Sequence, residues 1–263
     1  MGIKRMRRVR LIVEYDGTGY SGWQRQINAV SVQQRLEEAI ARLTGQAVSA
    51  VGSSRTDAGV HALGLNVHFD TDSPVPDEKF SYALNTMLPP DIRVRASMAA
   101  PEGFHARFGA TGKVYRYLIY NFPHAGALNR NTHWHVMLPL DVAAMRREAA
   151  LMVGEHDFKA FAASGSIVKD TVRTIYRCQV DARGHEVRVM VHGNGFLYNM
   201  VRILAGTLVG VGEGKLAEGA IRRAIESGDR LALGMTAPAH GLTLMKVFYG
   251  DDDEAGDYFE QWI

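Results

Sequence analysis

The chain has 263 residues, 46% of them hydrophobic and 22% charged, and its formal net charge is +2. This length and apolar content suit one large domain or two smaller ones, and exclude a disordered chain, a collagen-like repeat and a coiled coil. The single cysteine, Cys178, excludes a disulfide framework and a cysteine-based zinc site. Its place in an alternating stretch predicts a small buried hydrophobe, and the scarcity of cysteine fits a reducing cytoplasm.

The small net charge hides an uneven distribution of charge along the chain. Residues 251–263 contain six acidic and no basic residues, so the first 250 residues carry 30 basic against 22 acidic side chains. Five bases lie near the start: Lys4, Arg5, Arg7, Arg8 and Arg10. A basic body with an acidic tail favours a polyanionic partner such as nucleic acid, although solvated termini give the same pattern.

Hydrophobic periodicity predicts strands and helices in mixed order. A strand at 9–15 precedes a helix that Ser31 opens through a capping box with Gln34 and that Gly45 ends. Clean alternation over 63–70 predicts a strand with one solvated face. The later predicted elements are a helix at 77–88, strands at 92–98 and 113–121, a helix at 141–153, strands at 171–181 and 185–192, helices at 196–211 and 216–227, and a strand at 242–249.

This irregular order predicts an α+β fold with antiparallel sheets. The segment V-R-L-I-V at 9–13 resembles V-R-V-M-V at 187–191, and a glycine pair with an aromatic residue follows each. We therefore expect two related α+β halves, residues 1–105 and 106–263, whose sheets meet in a central cleft. The apolar helix at 196–211 contains Arg202 near its middle, which favours a buried helix over a membrane span.

The sequence contains possible signs of a dinucleotide-binding motif and of a metal site, but the surrounding residues support neither. Residues 17–22 match G-x-G-x-x-G, but the next helix begins only at Ser31, whereas a dinucleotide-binding motif must itself open the helix. Metal binding by Asp57, His61 and His68, or by His133 and His135, lacks a recognised ligand spacing. We interpret these histidines as solvated or structural and expect His68 on the solvated face of its strand.

The most informative segment is the predicted loop G-S-S-R-T-D-A-G-V-H-A at 52–62. Its single acid and single base suit either a reactive loop or an ordinary turn in which Asp57 caps backbone amides. Arg202, in its apolar helix, needs an anionic partner. Tyr115 and Tyr117 share a strand face with Lys113, which is typical either of a grip on single-stranded nucleic acid or of simple strand packing.

Motifs distributed over most of the chain resemble the TruA-type family of tRNA pseudouridine synthases. R-T-D-A-G-V-H-A at 55–62 is similar to the active-site signature of that family. The other matching segments are Y-D-G-T-G-Y-S-G-W-Q at 15–24, F-H-A-R-F at 104–108, K-V-Y-R-Y-L-I-Y-N at 113–121 and N-M-V-R at 199–202.

The resemblance implies isomerisation of uridine to pseudouridine in the tRNA anticodon stem-loop, around positions 38 to 40. It implies a cytoplasmic homodimer with no membrane association and no metal or organic cofactor. Asp57 is then the nucleophile or charge-stabilising carboxylate and Arg55 the base-flipping arginine. Tyr115 stacks on the target uracil, and Arg202 forms an ion pair with Asp57.

Two other classes of function remain open on the residues alone. A non-catalytic RNA-binding protein of the same fold needs basic and aromatic residues but no Asp–Arg pair. A metal hydrolase that uses Asp57, His61 and His68 predicts loss of activity on chelation.

Overall fold

The computed structural model describes residues 6–163, 169–250 and 259–260. By its internal contacts the chain forms two compact units. The first contains the described residues of Met1–Ala110 and Leu244–Asp252, and the second those of Thr111–Thr243 and Asp253–Ile263. Each unit combines antiparallel strands with helices, so the α+β prediction is confirmed. The kinship of the two halves and the way in which their sheets meet stay predictions.

The described residues form ten strands and five α-helices. The strands are β1 (Arg7–Tyr15), β2 (Val51–Gly52), β3 (His61–Thr71), β4 (Ile92–Ala99), β5 (Gly112–Asn121), β6 (Trp134–Val136), β7 (Gly154–Asp157), β8 (Val172–Arg183), β9 (Glu186–Gly193) and β10 (Leu242–Phe248). The helices are α1 (Val32–Thr44), α2 (Phe80–Asn85), α3 (Val142–Ala150), α4 (Met200–Gly212) and α5 (Ala220–Ser227).

In the first unit the strands lie in the order β4-β1-β3-β10, and β2 pairs with β3. The alternating residues Val9, Leu11 and Val13 of β1 are fully buried, as are Leu36 and Ile40 of α1. The period of two on the strand and the spacing of four on the helix each place one apolar face in the core. The loop of residues 53–60, called the signature loop below, connects β2 to β3 and therefore begins and ends on this sheet.

Helix α1 shows how far local sequence determines structure. The Ser31 hydroxyl accepts the backbone N–H of Gln34 at 3.2 Å, and Gly45 adopts a left-handed conformation (φ 73°) that ends the helix. The capping box is only half formed, because the Gln34 side-chain amide donates to Glu38 instead. Both predicted helix ends are nevertheless confirmed.

Strand β3 differs from its prediction because the middle of its second face is covered as well. Asn66 and His68, expected on a solvated face, are 3% and 4% exposed. The rings of His68 and Phe104 meet edge-on with their centroids 6.1 Å apart. The Nδ1 atom of His68 accepts the backbone N–H of Ala106 at 3.1 Å. The prediction of a solvated His68 is therefore wrong, since a segment 36 residues further along the chain covers it; the structural alternative holds.

In the second unit the strands lie in the order β5-β9-β8-β7, and β6 runs parallel to β5.

Several helices are shorter than predicted. Helix α4 begins at Met200 rather than 196, since Asn199 before it is left-handed (φ 61°). Helix α2 is shorter because the first residues of its predicted range, Asp77–Lys79, form a 3₁₀ turn. Cys178, on β8, is half-buried as a residue, and burial of its thiol raises the thiol pKa to about 12. No helix in the described part of the chain is long and apolar enough to cross a membrane.

The acidic end of the chain lies mainly, and its basic start partly, outside the described residues. This applies to Lys4 and Arg5 and to the acidic segment apart from residues 259 and 260. Phe259 is 1% exposed; Arg188 Nη2 donates to its carbonyl at 2.7 Å, and the Arg177 guanidinium lies 4.2 Å from its ring centroid. Phe259 is thus docked on β8 and β9 of the second unit.

Candidate active site

Arg55 and Asp57 lie in the loop of residues 53–60 that connects β2 to β3. The residue between them, Thr56, is buried, whereas Arg55 is exposed and Asp57 is half-buried. A hydrogen bond of 3.1 Å from the Val60 N–H to the Asp57 carbonyl closes the turn. The loop is therefore anchored at Thr56 and leaves its two charged side chains at least partly accessible.

The anchor comes from the end of β1 and the segment that follows it. The hydroxyl groups of Tyr15 and Thr56 lie 2.7 Å apart in the interior. The backbone N–H of Trp23 donates to the Thr56 carbonyl at 3.1 Å. Both the side chain and the backbone of Thr56 are held, so the position of Asp57 depends on residues more than 30 positions earlier.

Two glycines let that segment approach the loop. Gly22 has φ 84°, and a Cβ there would collide with the Thr56 carbonyl oxygen and lie 3.0 Å from the Asp57 carbonyl carbon. A Cβ on Gly17 would collide with the Val60 carbonyl oxygen. These glycines of the G-x-G-x-x-G pattern thus serve close backbone packing against the signature loop.

His61 joins the same region from the first position of β3. It is 6% exposed, and its Nδ1 accepts the backbone N–H of Gly17 at 3.0 Å and lies 3.1 Å from Asp16 Oδ1. Burial raises the pKa of Asp16, but hydrogen bonds from the hydroxyl and backbone of Thr18, together with the nearby His61, outweigh it and hold that pKa below its usual value. Over the described ranges, no group of three or more His, Cys, Asp or Glu side chains is arranged to hold a metal ion.

Tyr115 lies on β5 in the second unit and is 9% exposed. The Phe196 ring meets it edge-on at a centroid distance of 5.2 Å, which fixes one side of the tyrosine. Tyr117 is fully buried and donates its hydroxyl to the Pro238 carbonyl at 2.7 Å. Of the two tyrosines, Tyr117 is part of the core, and only Tyr115 retains any exposed surface for a ligand.

Arg202 lies in the first turn of α4 and is half-buried. Its Nε donates to the Ala237 carbonyl at 2.8 Å and its Nη1 to Asn199 Oδ1 at 2.9 Å. Asn199 has φ 61° and is, among the residues described, the only non-glycine with a positive φ. An asparagine in the left-handed conformation therefore orients the guanidinium. In the motif N-M-V-R, the only sign of this role is the preference of Asn for left-handed conformations.

The structure thus places Arg55 and Asp57 in one loop of the first unit, and Tyr115 and Arg202 on separate elements of the second. Sequence reasoning missed the anchors Tyr15 and Thr56, the ring partner Phe196 and the orienting residue Asn199. The Asp57–Arg202 ion pair stays a prediction.

Comparison with known proteins gives one consistent match. Residues 11–109 and 149–250 match the model of the family described as tRNA pseudouridine synthase. "tRNA pseudouridine synthase A" of Ruminiclostridium cellulolyticum is 53% identical over 93% of this chain and 100% of its own length. The proteins of the same name from Acetivibrio thermocellus and Geotalea daltonii are 51% and 48% identical, with the same coverage.

A solved structure, the archaeal box H/ACA sRNP Nop10–Cbf5 complex, has a TM-score of 0.37 and 13% identity and covers 92% of this chain and 50% of that one. This weak likeness adds nothing to the sequence match. The family model and relatives about 50% identical along nearly the whole chain identify the same family as the motif around Asp57. The chain belongs to the tRNA pseudouridine synthase family.

Proposed function

We propose that this protein isomerises uridine to pseudouridine in the anticodon stem-loop of tRNA, around positions 38 to 40. The observation that supports it most is the anchored loop R-T-D-A-G-V-H-A, with its carboxylate half-buried and its arginine exposed. The homodimer and the cytoplasmic location implied by the family resemblance belong to the same proposal.

The reaction requires few functional groups. The N1–C1′ bond of uridine breaks, the uracil turns, C5 joins C1′, and the C5 proton leaves to solvent while N1 gains one. Neither oxidation nor hydrolysis occurs, so a single carboxylate suffices. In our proposal Asp57 either attacks the sugar or the base covalently or assists by removing a sugar proton.

The remaining residues handle the base and the charge. Removing the target uridine from its stack costs a few kcal/mol. We assign Arg55, which is exposed on the loop, to displacing the uridine, and Tyr115, backed by Phe196, to stacking on it. Arg202 supplies the cation for Asp57, and its two hydrogen bonds within the second unit orient it for that role.

Tritium release tests the activity. The protein is incubated with tRNA that carries tritium at uridine C5, in excess EDTA, and released label is counted. We expect release from the wild type and none from Asp57→Ala, which still binds tRNA because phosphate contacts supply most of the affinity. Release by Asp57→Ala would refute the assignment, and binding without release would favour the RNA-binding protein. Absence of release together with hydrolysis that EDTA abolishes would favour the metal hydrolase.

The site of modification needs its own measurement. Transcripts that retain a single uridine at position 38, 39 or 40 are compared with a transcript that has none of the three. We expect release only from the first three substrates. Equal release from the fourth would confine the proposal to tRNA pseudouridylation without that specificity.

A further inference from the structure

The turn of residues 104–109, which carries the F-H-A-R-F motif, is held from several sides. Arg8 Nη1 donates to the Phe104 carbonyl at 2.7 Å, and the Tyr249 hydroxyl donates to the Ala106 carbonyl at 2.6 Å. On the other side of the Ala106 backbone, His68 accepts its N–H. Phe104 is 9% exposed, and its ring lies 4.9 Å from the Arg10 guanidinium. The base of this turn is therefore part of the first unit's core.

His105 fixes the outer part of the same turn. Its Nδ1 accepts the backbone N–H groups of Arg107 and Phe108 at 3.2 and 3.1 Å, and its carbonyl accepts that of Gly109 at 2.9 Å. The rings of His105 and Phe108 lie 4.5 Å apart with an interplanar angle of 31°. Phe108 is thus supported on one side and held by a rigid backbone.

These anchors present an aromatic ring to solvent. Phe108 is 78% exposed, and the Arg107 guanidinium lies 5.6 Å from its ring centroid. Solvent-exposed rings are common on loops that fluctuate, but here hydrogen bonds fix the backbone on both sides of the ring. An exposed ring on a preorganised turn loses little conformational entropy when a ligand stacks on it.

We propose that Phe108 is a stacking platform for an unpaired nucleobase of the tRNA and that Arg107 contacts the adjoining phosphate. An aromatic face beside an arginine suits single-stranded nucleotides, because the base stacks on the ring while the cation pairs with the backbone. This inference rests on the proposed function, since it takes tRNA as the ligand, and it adds a contact outside the 53–60 loop.

Equilibrium binding of tRNA to the full chain tests the proposal, with Tyr82 as a matched control. Tyr82 is 73% exposed in the same unit, and the Lys79 ammonium lies 5.5 Å from its ring centroid. We expect Phe108→Ala to raise the Kd for tRNA by about 5- to 150-fold, the range for loss of one base stack, while Tyr82→Ala leaves it unchanged. Phe108→Trp should restore binding and Phe108→Leu should not.

The salt dependence separates the ring from the charge. Arg107→Ala should lower the slope of log Kd against log salt by about one, whereas Phe108→Ala should leave the slope unchanged. The Phe108→Trp indole should show fluorescence quenching by tRNA, measured as the difference from wild type.

Equal tRNA binding by Phe108→Ala, Tyr82→Ala and wild type would overturn the platform, even where tritium release is normal. A fall in sedimentation mass for Phe108→Ala with unchanged tRNA affinity would also overturn it and would assign the ring to a contact between protein chains. Absence of tritium release from the wild type would refute the proposed function, while the binding comparison would still decide whether Phe108 contacts RNA.

Discussion

The hydroxyl groups of Tyr15 and Thr56 lie 2.7 Å apart in the interior of the first unit, and this contact links the end of β1 to the residue that precedes Asp57. Buried hydroxyls that hydrogen-bond to each other fix both side chains, because a partner lost there is not replaced by water. We conclude that the position of the Asp57 carboxylate depends partly on Tyr15, which acts through Thr56.

The first prediction is that Tyr15→Phe lowers kcat by about 10- to 100-fold with little change in KM, because a small displacement of Asp57 affects the reaction more than tRNA binding. It should also lower the free energy of unfolding by about 1–3 kcal/mol, since the Thr56 hydroxyl loses a partner. Steady-state tritium release and urea denaturation measure the two effects.

Tyr20→Phe is the control for this variant. It removes a hydroxyl that donates to Asp91 at 2.7 Å and leaves unchanged the Tyr20 carbonyl, which accepts the N–H of the loop residue Gly59. It should lower stability to a similar extent without the loss in kcat. A wild-type kcat for Tyr15→Phe, as expected for Tyr20→Phe, would show that Tyr15 contributes only to stability.

The second prediction concerns Gly22, whose missing Cβ lets the backbone approach Thr56 and Asp57. Gly22→Ala should combine the strain of a positive φ with a steric collision, so we expect a loss of more than about 2 kcal/mol and near-complete loss of tritium release. Gly45→Ala is the matched control, since Gly45 has φ 73° but nothing within 4 Å of its Cβ position. It should cost about 1 kcal/mol and retain activity. Similar effects of both substitutions would contradict a steric role for Gly22.

The third prediction is a dependence of stability on pH that comes from His68. Burial, together with the nearby charges of Arg8 and His105, lowers the pKa of His68 to about 4, and the charge of Asp70 opposes this shift only in part. The unfolded chain binds a proton at this histidine near pH 6.5, whereas the folded chain stays neutral there until about pH 4. The contribution of His68 to the free energy of unfolding is therefore fully present above pH 6.5 and decreases as the pH falls towards 4.

His68→Gln should remove this pH dependence while its side-chain oxygen can still accept the Ala106 N–H. Urea denaturation between pH 7 and 4 should show a shallower decrease in stability for the variant than for the wild type. Parallel curves would show that His68 does not cause the acid sensitivity.

The sequence predicts elements well where their determinants are local. Ser31 and Gly45, which set the ends of α1, lie next to the helix that they delimit. The loop around Asp57 was identified because its residue types and order are themselves distinctive.

Features that depend on distant residues were missed. The burial of His68 follows from Phe104, and the position of Asp57 from Tyr15, which is 41 residues from its partner Thr56. A local period of two cannot reveal a loop that later covers the second face of a strand. For the same reason, the anchored turn below Phe108 was visible in the sequence only as a motif without a role.

The fourth prediction is that Arg202→Met lowers kcat/KM by about 100-fold or more, because in the proposed ion pair Arg202 is the cation that keeps Asp57 ionised and oriented. Stability should change less, since an apolar side chain suits α4 and replacement of buried ions is often tolerated. The acid limb of the pH–rate profile should move to higher pH, because a carboxylate that loses a nearby cation is protonated more readily. Arg146→Met, which removes a bond from Arg146 Nε to the Val180 carbonyl, is the control and should retain activity. Full activity of Arg202→Met with an unmoved acid limb would exclude the ion pair.

The last prediction separates the two roles of Asn199, which adopts φ 61° and accepts a hydrogen bond from Arg202. Asn199→Gly keeps the left-handed backbone but loses the acceptor, whereas Asn199→Ala loses the acceptor and adds about 1 kcal/mol of strain. Both variants should lose tritium release to a similar extent, about 10-fold, because the guanidinium is held by one bond fewer. Only the alanine variant should unfold at lower urea concentration. Full activity of Asn199→Gly would show that Asn199 serves the backbone alone and that the Ala237 carbonyl suffices to orient Arg202.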